Sequence, residues 1–346
     1  MEDKISSPQL ALACLLARPE GGRAAREWSR SFLAAPDQPG EQAEEVRALL
    51  VRELPAVEES LKTLGWRFLA AADLSFPAAL VALSDPPLGL FVRGALPAGP
   101  AVALVGARHA SAYGREVAEH FGRELAAAGV VVVSGMARGV DAAAHRGALA
   151  AGGPTVAVWG AGPDQVYPRE HDQLAEEIAA HGCLLTEYPP GAPPRAQHFP
   201  ERNRLLAGMC QVVVVVEADE RSGALITARL ALEEGREVMA VPGSVFSRLS
   251  VGPNGLLRAG AAPALAADDI LAVLGLPPTR VAANNDGEEP AVLAALPRGE
   301  AVTVDHLAAQ AGKTIAEVLQ ALLELELAGR VVREPDGRYR RSLVGR

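Results

Sequence analysis

Hydrophobic positions from residue 101 onward come in short continuous runs, each followed by a glycine-bearing loop and then by a stretch with the apolar spacing of a helix. The runs are AVALVG (101–106), VVVVSG (130–135), TVAVWG (155–160), QVVVVVEA (211–218) and EVMAVPG (237–243). Strands without polar alternation are covered on both faces, which is typical of a parallel sheet between helical layers. The pattern therefore predicts an α/β fold whose core is an extended Rossmann-like parallel sheet.

The N-terminal part of the chain has a different pattern. Ala- and Leu-rich helical stretches at 8–17, 40–51 and 57–64 are separated by Pro and Gly breaks. We therefore expect residues 1–84 to form a small helical domain, of the SAM-like or degenerate helix-hairpin-helix type. A short strand is expected at 89–94, within a Rossmann-like domain that covers 85–276.

The C-terminal part is separated from the sheet by residues 277–290, which are poor in large apolar groups and rich in Pro, Asn and acid, as a linker is. Residues 291–346 then predict helices at 291–296, 304–311 and 315–328, followed by a hairpin that turns at Pro335-Asp336-Gly337. Three helices and a hairpin in this order indicate a winged-helix domain.

The net charge of the chain bears on whether it can bind nucleic acid. With 33 basic and 42 acidic residues the net charge is -9, whereas phosphate binding relies on Lys and Arg. Much of the acid, however, falls on predicted helices, while six arginines fall in predicted loops: Arg108, Arg138, Arg195, Arg202, Arg204 and Arg221. A local positive field on an acidic protein is therefore expected.

The sequence shows few features that would bind a metal or insert into a membrane. Cys14, Cys183 and Cys210 are scattered in apolar surroundings, and neither they nor the seven histidines have metal-ligand spacing. We predict buried free thiols, no metal and no cofactor. Without an apolar run of about 18 residues or a basic leader, we expect a cytoplasmic protein that does not insert into membranes.

The loop GARHASAYG (106–114) follows a strand and opens a helix, so its amides and the helix dipole favour an anion. Arg108 adds a charge beside Gly106. The loop is not a dinucleotide fingerprint, because GxGxxG is absent and the next strand ends in Ser134-Gly135 instead of an acid.

The loop SGMARGVD (134–141) brings backbone amides to a tight turn where a phosphate can approach, and its Arg138 and Gly139 are further candidates. Asp141 suits a helix cap, and His145 lies one turn on. For that pair a structural role and a ligand contact are both open, and we do not assign them to catalysis.

The segment FPERNR (199–204) sets an aromatic ring beside arginines, which is typical of single-strand binding, and we predict it to be a loop. The alternative is that Phe199 plugs the core and the arginines form salt bridges. The stretch ERSGALITA (220–228) supplies small donors, Ser222 and Gly223, at a helix start.

Taken together and in order, VGARHASAYG, VVSGMARGVDAAAHRGAL, FPERNRLLAG, VVVVEADERSGALITARLALEEGREVMAVPG and GPNGLLRAGA resemble the DNA-processing protein A (DprA, or Smf) family over roughly 76–271. The resemblance implies a Rossmann-like homodimer, joined near 239–265, that binds and protects single-stranded DNA. It also implies that the protein helps load the RecA recombinase in natural transformation and recombination, and is not an enzyme. Residues 1–84 lack the helix-hairpin-helix glycine signature.

The resemblance and the loops together assign a DNA site. Its residues are Gly106, Arg108, Ser134, Gly135, Arg138, Gly139, Phe199, Arg202, Asn203, Arg204, Ser222 and Gly223. The arginine-rich tail at 330–346 makes the winged helix a candidate contact for duplex DNA, although many winged helices bind proteins and the helix at 315–328 is acidic.

An enzyme is the alternative. Nucleotide-hydrolysing phosphoribohydrolases of the lysine-decarboxylase-like type use similar glycine loops, with a PGGxGT loop and a catalytic glutamate. Here the equivalent stretch reads SGALITARL, which lacks the paired glycines and an acid directly after Thr227. We therefore expect binding instead of catalysis.

Overall fold

A computed structural model describes residues 22–37, 39–278, 290–297 and 301–342. The chain divides into two compact units, Met1–Thr279 and Arg280–Arg346. The predicted helix at 8–17, Cys14 and most of the predicted linker lie outside the described residues. Among the described residues, none of the helices is long and apolar enough to cross a bilayer.

Most of the first unit is built around a nine-stranded sheet. In chain order its strands are β1 (Arg67–Ala70), β2 (Gly89–Gly94), β3 (Ala101–Val105), β4 (Val131–Ser134), β5 (Thr155–Trp159), β6 (Cys183–Thr186), β7 (Val212–Val215), β8 (Glu237–Ala240) and β9 (Ala262–Pro263). The strand order is β1-β2-β6-β5-β4-β3-β7-β8-β9. From β6 to β9 all pairs are parallel, as predicted, while β1 and β2 add an antiparallel edge.

Helices cover the sheet on both faces. In the first unit they are α1 (Arg23–Ala34), α2 (Glu41–Arg52), α3 (Leu54–Thr63), α4 (Ala78–Val81), α5 (Ala112–Ala127), α6 (Val140–Ala150), α7 (Asp172–His181), α8 (His198–Met209), α9 (Gly223–Glu233), α10 (Val251–Arg258) and α11 (Ala267–Val273). The central strands are fully buried, which explains their continuous Val-rich sequences.

The N-terminal helices share a core with the sheet. Phe32 of α1 and Leu61 of α3 belong to the same buried cluster as Phe91 of β2 and Trp159 of β5. Trp66, just before β1, packs with its ring centroid 5.4 Å from that of Trp159. The helices of 23–63 therefore pack into the same compact unit as the sheet, and β1 is a strand within the segment predicted to be purely helical.

The second unit has the predicted winged-helix order. It consists of α12 (Ala291–Ala294), α13 (Val304–Ala311), α14 (Ile315–Leu327) and the hairpin of β10 (Val331–Arg333) and β11 (Tyr339–Arg341). A capping box in which Thr314 and Glu317 exchange hydrogen bonds starts α14. This confirms the fold class expected for the C-terminal part.

Candidate nucleic-acid interface

The candidate site lies where the chain reverses its direction across the sheet. From β3 the chain proceeds through β4 and β5 to one side, and after β7 it proceeds through β8 and β9 to the other. The switch therefore falls between β3 and β7, and open α/β sheets bind ligands at the carboxyl ends of the strands at such a point. The loops after β3, β4 and β7 all open there.

A cleft of about 380 Å³ occupies this position. Its walls come from the loops after β3, β4 and β7 and from the start of α8. Of the residues predicted from the sequence, it is lined by Gly106, Arg108, Phe199, Arg202, Asn203, Ser222 and Gly223. Gly135 and Arg138 line a second, smaller cavity of about 120 Å³ that shares Arg108 and Phe199 with the cleft.

The first loop leaves backbone donors unused. The N–H of Ala107 donates to the Glu217 carbonyl at 2.7 Å, and the N–H of Ser111 donates to the Glu217 carboxylate at 2.8 Å. Between them, the N–H groups of Arg108 and His109 have no acceptor among the described residues. Successive free amides at a helix start form a concave anion site.

Glu217 accepts both of these hydrogen bonds, and its role was not predicted from the sequence. Its carboxylate is buried and also accepts the Ser111 hydroxyl at 2.6 Å, so it holds the first loop at both ends. The Ser111 hydroxyl in turn caps α5 by accepting from the Gly114 N–H. The only available signal was an acid that directly ends the Val-rich run at 211–218.

Two exposed arginines flank the cleft. Arg108 lies over the Phe199 ring with its guanidinium carbon 4.9 Å from the ring centroid, and Arg221 stands on the side of α9. Neither side chain has an ion-pair partner among the described residues. Two unpaired guanidinium groups beside free amides and the positive end of α9 offer several donors to an anion.

Arg202 is buried under the second loop. Its Nη1 donates to the Gly135 carbonyl at 2.8 Å and to the Val158 carbonyl, and burial lowers its pKa to about 10. A Cβ on Gly135 would lie 2.5 Å from Arg202 Nη2 and 2.6 Å from Asp141 Oδ2. The glycine therefore leaves room for both side chains, and Arg202 shapes the loop from below.

Asp141 belongs to the same buried group. Its Oδ2 accepts the Ala137 N–H at 3.2 Å, and burial raises the pKa of this carboxyl despite the nearby charge of Arg202. The cap of α6 is Gly139 instead, and Asp141 stands in the first turn. His145 lies deeper, away from the cleft, and its Nδ1 is 2.7 Å from Thr155 Oγ1. Of the two roles left open for His145, the geometry therefore favours the structural one.

The remaining predicted residues are placed as follows. Ser134 is buried and donates its hydroxyl to the Leu104 carbonyl at 2.6 Å, which ties β4 to β3. Arg204 is also buried, with Nη1 2.8 Å from the Asp85 carbonyl and an ion pair to Glu187. Neither side chain lines the cleft, because both satisfy buried polar groups elsewhere. Asn203 donates to the Gly223 carbonyl at 3.2 Å and joins α8 to α9.

The segment FPERNR is not the loop predicted from the sequence. It forms the first two turns of α8, which begins at His198. Arg202 and Arg204 have different partners because residues two positions apart point to different sides of a helix. Pro200 is tolerated because it falls in the first turn, where its missing N–H has no helical partner.

Two other sequence predictions concern metals and thiols. Cys183 and Cys210 are buried and free, as predicted, and burial raises the pKa of the Cys183 thiol to about 12. No group of three or more His, Cys, Asp or Glu side chains is arranged for a metal within the described part of the chain.

Comparison with known families decides the affiliation. A family model described as DNA recombination-mediator protein A matches residues 67–275, and a model described as DprA winged helix domain matches residues 276–337. The chain belongs to the DNA recombination-mediator protein A (DprA) family. The cleft described above lies within the part that matches the first of these models.

Individual relatives agree with this. The chain is 41% identical over 287 residues to protein Smf of Escherichia coli, which covers 79% of this chain and 77% of that protein. It is 41% identical over 221 residues to DNA processing protein DprA of Bacillus subtilis, covering 63% and 74% of the two chains.

Solved structures of DprA proteins share the fold. DprA of Streptococcus pneumoniae matches with a TM-score of 0.63 and 32% identity, covering 78% of this chain and 93% of that one. A Helicobacter pylori DprA structure, described in terms of its single-stranded DNA binding mode, matches with a TM-score of 0.55 and 31% identity. It covers 60% of this chain and 95% of that one.

Proposed function

We propose that this DprA-family protein binds single-stranded DNA in the cleft at the switch point of its sheet. The observation that carries the proposal is the row of free N–H groups at Arg108 and His109 beside the unpaired guanidinium groups of Arg108 and Arg221. Backbone amides and guanidinium groups recognise phosphate without reading base identity. The single-strand binding mode attributed to the Helicobacter pylori relative supports the same conclusion.

The proposal extends to the cellular role expected for the family. We propose that the bound strand is protected and passed to a recombinase of the RecA type during natural transformation and recombination. Family membership supports this step, since relatives that match more than half of the chain are named DNA processing protein DprA. Binding by pre-arranged loops suits a protein that passes its strand to another.

We also propose that the protein forms a homodimer through the late part of the sheet unit. Phe246 is 96% exposed and Val245 82% exposed, on the loop after β8, and Leu265 is 72% exposed beyond the edge strand β9. Such large apolar side chains in full contact with water are typical of an interaction surface. Replacing Phe246 by Glu should convert the dimer to a monomer in sedimentation analysis, and an unchanged mass would exclude this surface.

The winged-helix unit offers little to a DNA duplex. The exposed face of α14 carries a row of leucine-type side chains, Ile315, Leu319, Leu323 and Leu327, where a recognition helix needs polar groups that reach base edges. In the hairpin, Arg338 pairs with Asp336. We therefore propose that the single strand binds to the sheet unit, and that duplex contact by the winged-helix unit depends on its exposed arginines Arg330 and Arg333.

The decisive experiment is a salt titration of oligo(dT) binding. Arg108→Ala and Arg221→Ala should each weaken binding, and each should flatten the slope of log K against log salt by about 0.7, the value for one phosphate contact on a single strand. Arg146→Ala, which removes an exposed arginine outside the cleft, serves as the matched control.

Two results would contradict the proposal. Unchanged affinity and slope in both cleft variants would place the strand elsewhere on the protein. Release of free base from nucleoside monophosphates by the wild-type protein, lost in Arg108→Ala, would instead favour the phosphoribohydrolase alternative.

A further inference from the structure

Helix α14 of the winged-helix unit is apolar on two of its faces. One face packs Val318, Leu322 and Leu325 into the core of the unit. The other forms a ridge of four large side chains, spaced four residues apart and each at least 45% exposed: Ile315, Leu319, Leu323 and Leu327. The fold of the unit uses only the first of these faces, and a contiguous exposed apolar surface of this kind is typical of an interaction site.

The charged side chains of α14 are all acidic. The helix has Glu317, Glu324 and Glu326 and neither Lys nor Arg. At about 100° per residue, Glu324 and Glu326 stand on opposite sides of the ridge, next to Leu323 and Leu327. Both carboxylates are exposed, and neither has an ion-pair partner among the residues that the structure describes. These two glutamates form an acidic rim on both sides of the ridge.

The acidic rim disfavours three occupants that an exposed apolar ridge could otherwise accept. A DNA duplex or an anionic membrane surface would bring further negative charge against the glutamates. A second copy of α14, packed antiparallel, would set Glu317 of one helix close to Glu324 and Glu326 of the other. Lys313 and Arg330 lie beyond the two ends of the helix, so they do not offset the charge of the rim.

We propose that α14 binds a cationic amphipathic helix of another protein. The partner would pack its own apolar side chains against the ridge and place Lys or Arg side chains beside Glu324 and Glu326. Rows of side chains four residues apart interdigitate in the commonest class of helix pairing. With 13 residues, α14 is about 20 Å long, which suits recognition of a single helical segment. This site lies in the winged-helix unit and is independent of the proposed DNA cleft.

Two fluorescent synthetic peptides test the surface on the full-length chain. Both have the length of α14 and leucine at every fourth position, and the leucines are flanked by lysine in one peptide and by glutamate in the other. In fluorescence anisotropy the lysine peptide should bind about 10-fold more tightly at low salt, and the difference should shrink as salt is added. Combining Leu319→Ala with Leu323→Ala should weaken binding of the lysine peptide by at least about 10-fold. Leu232→Ala is the matched control, because Leu232 is 59% exposed on α9, and it should bind like wild type.

A charge reversal separates this site from simple apolar adhesion. Combining Glu324→Lys with Glu326→Lys should reverse the preference, so that the glutamate peptide binds more tightly. Equal binding of both peptides to wild type, or binding of neither, would overturn the proposal. Self-association of Phe246→Glu that is lost when Leu319→Ala and Leu323→Ala are added would assign the ridge to a second copy instead. A loss of duplex DNA binding in the leucine variant would assign it to DNA, and oligo(dT) binding in the cleft is unaffected by any of these outcomes.

Discussion

Gly139 holds the second loop against the first, and replacing it tests whether that contact builds the cleft. Its backbone has φ 74° and ψ -121°, a conformation that side-chain-bearing residues rarely adopt. A Cβ there would lie 2.7 Å from the Arg108 carbonyl oxygen and closer still to that of Ala107. Both obstacles are backbone atoms, so Gly139→Ala can be accommodated only if the two loops separate.

The expected loss of stability is worked out by comparison with Gly152, whose φ is also positive but whose Cβ position is open. Gly152 has φ 66°, so Gly152→Ala destabilises the protein only through the left-handed conformation, by about 1–2 kcal/mol. Gly139→Ala costs at least as much for its conformation, because φ 74° with ψ -121° lies outside the left-handed helical region, and overpacking adds about 1–3 kcal/mol. We therefore expect the free energy of unfolding to fall by at least about 1–3 kcal/mol more in Gly139→Ala than in Gly152→Ala.

Urea denaturation of both variants measures this difference, and oligo(dT) titration measures the consequence for the cleft. Gly139→Ala should bind more weakly than wild type even under conditions where it is fully folded, whereas Gly152→Ala should bind as wild type does. If the two variants lost equal stability and bound DNA equally well, the contact between the loops would have no part in forming the site.

Three further results are expected. Arg204→Met should destabilise the protein by about 3–5 kcal/mol in urea denaturation, because it leaves the carboxylate of Glu187 buried without its ion-pair partner. A loss of DNA affinity with unchanged stability would contradict its structural role. Glu170→Gln should strengthen oligo(dT) binding, because it removes the ion pair in which Arg138 Nη2 lies 2.6 Å from Glu170 Oε2 and so frees this arginine for the strand. Equal or weaker binding would mean that Arg138 does not contact the strand. Deletion of residues 288–346 should leave single-strand affinity unchanged, and a clear drop in a gel-shift titration would show that the winged-helix unit contributes.

The sequence by itself predicted strand β2, the central parallel strands β3, β4, β5, β7 and β8, and the loops that line the cleft. Continuous Val-rich runs can be satisfied only by strands covered on both faces, and glycines after them allow tight turns, so these features depend on local pattern. For the same reason the three helices and hairpin of the C-terminal unit were predictable. The positions of Arg108, Ser222 and Gly223 followed, since each is fixed by the strand or helix next to it.

Only the tertiary structure decided which polar side chains face the cleft. Arg202 and Arg204 are two residues apart, yet one lies beneath the second loop and the other pairs with Asp85, because α8 turns them to different sides. Glu217 is distant in sequence from the first loop and reaches it because β7 pairs with β3 in the sheet. Such partners are set by long-range packing, and no periodicity along the sequence encodes them.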